Sequence, residues 1–431
     1  MRTLSSCLAG ALASVLALGV TQVGVAHAQE AVEGRGVEVS PGTVLHPTVG
    51  ADLGVINNVF YEDESPVTSG LLRLLVNFAV ASDKAKPEEP IPGEEPGNEP
   101  APPTFEFRAS GGLRYEEYLY YDNFSTTEQR NLALDVQGHF QVYPQGNWTF
   151  VADDRLQRDT RPRNFEDPSS TNRIDNLLQL GMRWQPQGRS ISAGARYENS
   201  TMILEGDSGV ANRMNHTLAL RSDWQWLPYT RFFGDVSVGF FGALGEAQVQ
   251  SGSLTKNSSL PIRGLVGVAT TLTEPLTLKL HLGWGYSSYS AGEGYNGPLL
   301  GAELGYAYGP TGRIVVEYNH DYEDSINANY YKDHKILAKL DQQVMEKLLL
   351  TGGLDLRLRS YRGIDGIGMP SRDDFLLGAT ARAQYVLSDR YYLSASYLGQ
   401  IDATDYQSSF MGTDDPSYTR HELMLGGRAA F

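Results

Sequence analysis

The chain ends Tyr418-Thr-Arg-His-Glu-Leu-Met-Leu-Gly-Gly-Arg-Ala-Ala-Phe431. Steps of two back from Phe431 meet Ala429, Gly427, Leu425 and Leu423, all apolar or small, while the alternate set holds Arg428, Glu422 and Arg420. A period of two with charge on one face and apolar residues on the other is a β-strand. By itself the stretch suits the last strand of a transmembrane barrel and the last strand of a soluble β-sandwich equally well. The rest of the chain has to decide.

Residues 1–28 read as a secretory signal: Arg2 is the positive start, Leu8 to Val25 the apolar stretch, and Ala26-His27-Ala28 the small-x-small cleavage site. Cys7 precedes the apolar stretch rather than ending it, which argues against a lipoprotein anchor. It is also the single cysteine of the 431 residues, so the mature chain is expected to have no disulfide, thiolate metal site or cysteine nucleophile. Beyond the signal no run of about 18 apolar residues exists, so no membrane-spanning helix is expected. The mean hydropathy of -0.32 does not speak against a barrel, in which only every second residue need be apolar. Composition favours one, with 46 Gly, 24 Tyr and 20% charged residues. A net charge of -16 excludes a nucleic-acid partner, which needs a basic face.

Residues 29–44 read as a periplasmic N-terminal lead without periodicity, and 45–431 as the barrel. From Leu45 onward about eighteen alternating segments follow, from the pair Leu45–Phe60 and Val67–Ala81 to Thr419–Phe431. Each is near the roughly 9–11 residues a tilted strand needs to cross a bilayer. One low-complexity stretch interrupts them. Asp83 to Pro103 holds seven of the chain's 21 prolines and six acids, the composition of an extended, solvated linker.

The connections settle the choice between barrel and sandwich. One set is tight, including Pro144-Gln-Gly-Asn147, Leu227-Pro-Tyr229, Thr273-Glu-Pro275, Gly309-Pro-Thr-Gly312 and Ser388-Asp-Arg390. The alternate set is longer and acidic, including Arg158–Thr171, Glu246–Ser259, Ile364–Arg372 and Ala403–Tyr418. Short turns on one side and long loops on the other are the asymmetry of outer-membrane barrels. The expected fold is therefore all-β, a transmembrane antiparallel up-and-down barrel of about 18 strands. Ile336 to Leu350 also fits an amphipathic helix, but parity favours strand, turn at Glu346, strand. Trp148, Trp184, Trp226 and the pair Tyr391-Tyr392 stand beside short turns, where an aromatic girdle meets headgroups.

Parity also predicts a charged lumen. The basic residues assigned to it are Arg108, Arg114, Arg155, Arg183, Arg196, Arg221, Arg263, Lys279, Arg357, Arg359, Arg382, Arg420 and Arg428. The acids are Asp135, Asp153, Asp223, Asp235, Glu317, Asp355 and Glu422, with Glu106, Glu116 and Glu198 interleaved. Mixed charge suits a wet bore whose residues bridge one another, or a basic path for anionic solutes.

No motif for catalysis stands out, so an enzyme is not expected. The histidines His46, His139, His216, His281, His320, His334 and His421 are scattered without metal spacing, and neither metal nor other cofactor is expected. Acidic clusters such as Glu62-Asp63-Glu64 and Asp414-Asp415 read as solvated surface, no loop having a complete calcium spacing.

A closing strand that stops on Phe431 resembles those of bacterial outer-membrane barrels, whose assembly machinery recognises that ending. The opening His46-Pro-Thr-Val-Gly-Ala-Asp-Leu-Gly-Val-Ile-Asn-Asn-Val-Phe60 resembles the first strand of the type-2 β-barrel porin family. The late Arg372-Asp-Asp-Phe-Leu-Leu-Gly-Ala-Thr-Ala-Arg-Ala-Gln-Tyr385 resembles its repeated Arg-Asp…Tyr strand pairs. The resemblance implies an integral protein of the bacterial outer membrane, in contact with its lipid and lipopolysaccharide, with C-terminus and short turns periplasmic and the longer acidic loops extracellular. Some members serve polysaccharide export in myxobacteria with a periplasmic export protein, for which Asp83–Pro103 would be the docking arm. Eighteen strands leave an aqueous channel, and with no outer loop much beyond about fifteen residues and no plug domain a wide, weakly obstructed bore is expected unless loops fold inward and narrow it. The first expectation is thus a polysaccharide conduit, with a general or anion-tolerant diffusion porin as the alternative and a sealed structural or adhesive barrel as the third.

Overall fold

The computed structural model describes residues 34–40, 42–82, 104–119, 129–161, 165, 172–186, 188–205, 212–244, 258–290, 292–325, 328–362, 372–404 and 416–431. The expected signal at 1–28 and the linker at 83–103 lie outside the described residues. A short strand, β1 (Val37–Ser40), precedes eighteen long ones. The first six are β2 (Thr43–Ile56), β3 (Ser69–Ser82), β4 (Phe105–Tyr118), β5 (Asn131–Val142), β6 (Trp148–Asp159) and β7 (Arg173–Trp184). Then come β8 (Ile191–Leu204), β9 (Arg213–Leu227), β10 (Thr230–Ala243), β11 (Ser259–Thr273), β12 (Leu276–Tyr289) and β13 (Tyr295–Gly309). The last are β14 (Gly312–Asp324), β15 (Tyr330–Val344), β16 (Leu348–Arg362), β17 (Arg372–Val386), β18 (Tyr391–Thr404) and β19 (Tyr418–Ala430).

Each long strand pairs antiparallel with its sequence neighbours, and β19 pairs with β2 from Glu422↔Ile56 to Ala430↔Thr48. The sheet is closed, so every long strand has a partner on both sides. β1 uses what the seam leaves over. Where β19 ends, β1 takes the free edge of β2 (Val37↔Leu45), within a stretch expected to be an unpatterned lead. The Gly36 N–H donates to the Phe431 carbonyl at 3.2 Å, and the Phe431 N–H to the Pro47 carbonyl at 3.0 Å. The terminal residue is thereby held in the wall.

The alternation sorts the side chains as a bilayer demands. At the middle of β9, Leu218 and Leu220 are 59% and 65% exposed, while Ala219 between them is buried. Val236 of β10, Val266 of β11 and Leu282 of β12 face outward in the same belt. This is a transmembrane barrel: the closed sheet pairs the backbones of neighbouring strands, and the exposed apolar band faces lipid. Trp148 packs tilted on Trp184 at 6.3 Å beside a short turn, both exposed. Tyr391 is exposed too, but Tyr392, expected beside it in the girdle, points inward and is 1% exposed. Period two sends neighbours to opposite faces.

The segment with helical periodicity is β15, a turn at Met345-Glu346-Lys347, and β16. Met345 and Glu346 have φ of 51° and 61°, the left-handed pair a tight hairpin requires. The strong β14–β15 and β16–β17 pairings on either side outweigh the local helical pattern.

Candidate functional site

The inner face carries the polar chemistry. Register puts on one face of the sheet Arg108 and Arg114 of β4, Arg155 of β6, Arg183 of β7, Arg196 of β8, Arg221 of β9 and Arg263 of β11. Lys279 of β12, Arg357 and Arg359 of β16, Arg382 of β17, and Arg420 and Arg428 of β19 complete them. The acids Asp135, Asp153, Asp223, Asp235, Glu317, Asp355 and Glu422 share that face. Some of them are gathered into two networks.

The first network lies at the seam. Arg73 of β3 donates to Glu116 of β4 at 2.6 Å and to Glu422 of β19 at 2.5 Å. Arg114 reaches Glu116 at 3.0 Å and Asp159 of β6 at 2.7 Å. Below it Arg428 grips Asp52 through both terminal nitrogens, at 2.6 and 2.7 Å, tying β19 to β2. Arg73, Glu116 and Glu422 are buried. Breaking one such pair leaves an uncompensated charge and costs about 3–5 kcal/mol.

The second network lies on β15–β17. Arg357 donates to Asp355 at 2.6 and 2.8 Å, and Arg359 to Asp333 at 2.8 and 2.9 Å. The Arg359 guanidinium lies 3.7 Å from the centre of the Tyr331 ring, a cation–π contact in a buried setting.

Two segments leave the wall and enter the bore. The loop after β6 sends Arg161 to Glu422 at 2.8 Å and to Glu116 at 3.7 Å. Phe165 of the same loop packs with Leu376 of β17, Tyr418 of β19 and Tyr61 of the β2–β3 loop. Its ring lies 5.3 Å from the Arg357 guanidinium. β6 and β16 stand eight strands apart by the shorter way round the eighteen, so Phe165 lies against the wall nearly opposite the strand it follows. Phe165 is buried and holds a left-handed φ of 64°, rare for an aromatic residue. Gly378 of β17 makes room for it, since a Cβ there would stand 3.1 Å from the ring's far carbon.

The second segment is the tip of the β14–β15 hairpin. β13–β14 pairing stops at Leu300↔His320, yet β14 stays paired with β15 as far as Asp324↔Tyr330. Tyr322 and Tyr330 belong to the outward set by parity but are 0% and 5% exposed. Tyr322 stacks at 3.9 Å on Tyr295, which faces inward from β13. The tip therefore leans inside the β12–β13 wall. Gly285 permits it, because a Cβ there would lie 2.5 Å from the Tyr322 ring. Tyr289 and Ser259 both donate to Asp324 at 2.7 Å and hold the tip down.

These two segments correct the expectation of a weakly obstructed bore. Loop length does not report loop direction. Nothing in the charge pattern singles out Arg161 or Phe165, and the one sequence signal for the leaning hairpin was glycine on the inner face of β12.

Of the histidines, His216, His334 and His421 face outward, and each Nδ1 lies 2.8–3.0 Å from a tyrosine hydroxyl on the preceding strand. Among the described residues no three metal-ligating side chains stand together.

No family model and no curated protein sequence matches the chain. Among solved structures it is similar to OpdO of Pseudomonas aeruginosa, at 11% identity and a TM-score of 0.45, over 90% of this chain and 97% of that one. OccK2 (OpdF) of the same organism matches at 9% and 0.43, over 90% and 98%. The siderophore receptor PirA of P. aeruginosa matches at 8% and 0.40, over 90% and 80%. Likeness at this level is a likeness of barrel walls, and the ligands of those proteins do not carry over.

Proposed function

We propose that this protein is an outer-membrane channel for small solutes, a diffusion porin whose bore is narrowed from within. The observation that carries the reading is the placement of Arg161 and Phe165 inside the bore, the first on Glu422 and the second against β17. A wall of paired charges around a narrowed passage passes hydrated small molecules, whereas a polysaccharide conduit needs the wide bore that the loop and the β14–β15 tip occupy. The general-porin alternative is thus favoured over polymer export. On this reading the rim that carries Phe431 and the short turns is periplasmic and the long loops are extracellular. The linker 83–103, which connects β3 to β4 on the rim of the turns, then belongs to the periplasmic side. Docking of an export protein there stays tied to the polymer reading.

The test is single-channel recording of the refolded mature protein in a planar bilayer, with polyethylene glycols of graded size as blockers. Steps blocked by small glycols and insensitive to large ones support the porin. A conductance reduced only by polymers of several kilodaltons would return the conduit. Silence from protein shown to be folded by heat-modifiability would leave a sealed structural barrel.

A further inference from the structure

A groove of about 510 Å³ lies on the outer wall near the rim of the long loops, across β15, β16, β17 and β18. Its floor is one row of paired outward positions, His334, Leu358, Phe375 and Ala403. Leu358 and Phe375 are 52% and 38% exposed, and His334 is exposed beside them. The next row on that face, nearer the rim, holds Lys332, Ser360 and Asp373, with Arg362 beyond it.

Strand geometry gives the height of the groove. His216, His334 and His421, the outward imidazoles that meet a tyrosine hydroxyl, each stand ten residues along the strand from Trp226, Val344 or Phe431 on the opposite rim. Ten residues of a tilted strand climb roughly 25 Å, the height of the apolar band, so these rings stand where hydrocarbon gives way to headgroups. The company of His334 sets it apart. The His320 ring stacks on it at 4.2 Å, and the Tyr318 hydroxyl meets its Nδ1 at 3.0 Å, which leaves Nε2 as the N–H donor toward the headgroup layer. The charges around the groove are then accounted for one by one. Arg362 holds Asp373 through both terminal nitrogens at 3.3 Å. Arg359 and Asp374, at the edge of the groove, belong to the inner face and pair there with Asp333 and Arg372. Lys332 makes no ion pair among the described residues, so one cation is left over above an apolar floor.

We propose that this groove binds the phosphorylated headgroup of a membrane lipid, the Lys332 ammonium and the His334 Nε2 holding the phosphate and Leu358 and Phe375 receiving the first acyl carbons. An ammonium and an N–H donor side by side suit a phosphate, whose oxygens only accept. A zwitterionic lipid brings its own cation to that phosphate and has less need of Lys332. The apolar floor favours a lipid over free phosphate, because burying acyl carbons adds to the charge attraction. On the orientation proposed above the lipid lies in the outer leaflet. The site requires the barrel to sit in a membrane and does not require its bore to conduct.

Binding is measured by native mass spectrometry on the refolded mature protein in detergent, with lipid A, phosphatidylcholine and inorganic phosphate as probes. Lipid A is expected to bind more tightly than either of the others. Lys332→Gln should weaken lipid A about tenfold, the worth of one charge-assisted bond. His421→Phe should leave it unchanged, since the neighbours of that imidazole along its face are Thr419 and Leu423. Heat-modifiability shows each variant folded. Lipid A held no tighter than phosphatidylcholine, indifference to Lys332→Gln, or an equal loss with His421→Phe would each overturn the assignment. Inorganic phosphate bound as tightly as lipid A, and lost in Lys332→Gln, would make this a site for free phosphate and overturn the lipid. Lipid A on a barrel silent in the bilayer would uphold the site and sink the porin. Conductance without lipid A binding would do the reverse.

Discussion

Arg161, two residues past the end of β6, donates to Glu422 on β19 at 2.8 Å, and Glu422 also accepts from Arg73 at 2.5 Å. A carboxylate of the closing seam is thus the anchor of the loop that narrows the bore. Closure of the wall and obstruction of the passage share one buried charge.

Loosening the anchor should widen the passage without unfolding the wall. Arg161→Ala combined with Phe165→Ala removes both attachments of the loop, and single-channel conductance is expected to rise roughly twofold as the narrowest radius grows. Unchanged conductance would mean that the narrowest point lies elsewhere.

Removing the carboxylate itself should be far more harmful. Glu422→Gln leaves Arg73 and Arg161 with Glu116 as the acid they still share, at a cost of about 3–5 kcal/mol. Urea unfolding of the barrel in liposomes would register this as a lower midpoint. A loss under about 1 kcal/mol would show that water reaches the cluster and screens it.

Gly285→Leu tests the leaning hairpin. The new side chain occupies the space of the Tyr322 ring, so the β14–β15 tip must lift. Acrylamide quenching of tyrosine fluorescence should increase and conductance should rise. Overpacking in a barrel that cannot yield would instead cost about 1–3 kcal/mol and leave both readings unchanged.

The lipid face has its own test. Leu220 stands at the middle of β9 and is 65% exposed. Leu220→Arg is expected to destabilise the barrel in a bilayer by roughly 2–4 kcal/mol. The same change two residues from the short turn, at Trp226, should cost at most about 1 kcal/mol, because charge is tolerated near the interface.

Beyond the end of β8, a hydrogen bond from Arg158 holds the Glu205 carboxyl below its ordinary range, with its oxygens 2.6 and 2.7 Å from the guanidinium. A carboxyl whose folded value is lowered stabilises the fold above its unfolded value, and that contribution is lost as pH falls through the lowered one. Carbon-13 NMR titration of labelled Glu205 should show the lowered midpoint, and Arg158→Ala should move it up toward that of a free glutamate. Coincident curves would remove the interaction.

Strand parity carries further than strand count. It is a local property, set by the two-residue repeat of the backbone, and so the division of Arg420, Glu422 and Arg428 from Leu423 and Leu425 is legible in the last fourteen residues. The alternation of tight turns with longer loops is equally local, which is why an antiparallel barrel of eighteen strands could be read without any view of its interior. Tyr392 shows the limit of that reading. Its aromatic character suggested the girdle, while the repeat that places Tyr391 outside required Tyr392 inside.

Pairing across the bore has no such local signature. Arg73 and Glu422 are separated by 349 positions, and Arg161 and Glu422 by 261. Both contacts exist because β19 closes on β2 and Arg161 enters the bore beyond the end of β6. The sequence by itself determined the strands, their faces and the belt that meets lipid, since each follows from side chains two apart on one backbone. Only the tertiary structure decided that Phe165 and the β14–β15 tip enter the bore, and which charges neutralise which, because these depend on the direction the chain takes beyond each strand and on neighbours brought together by closure of the ring.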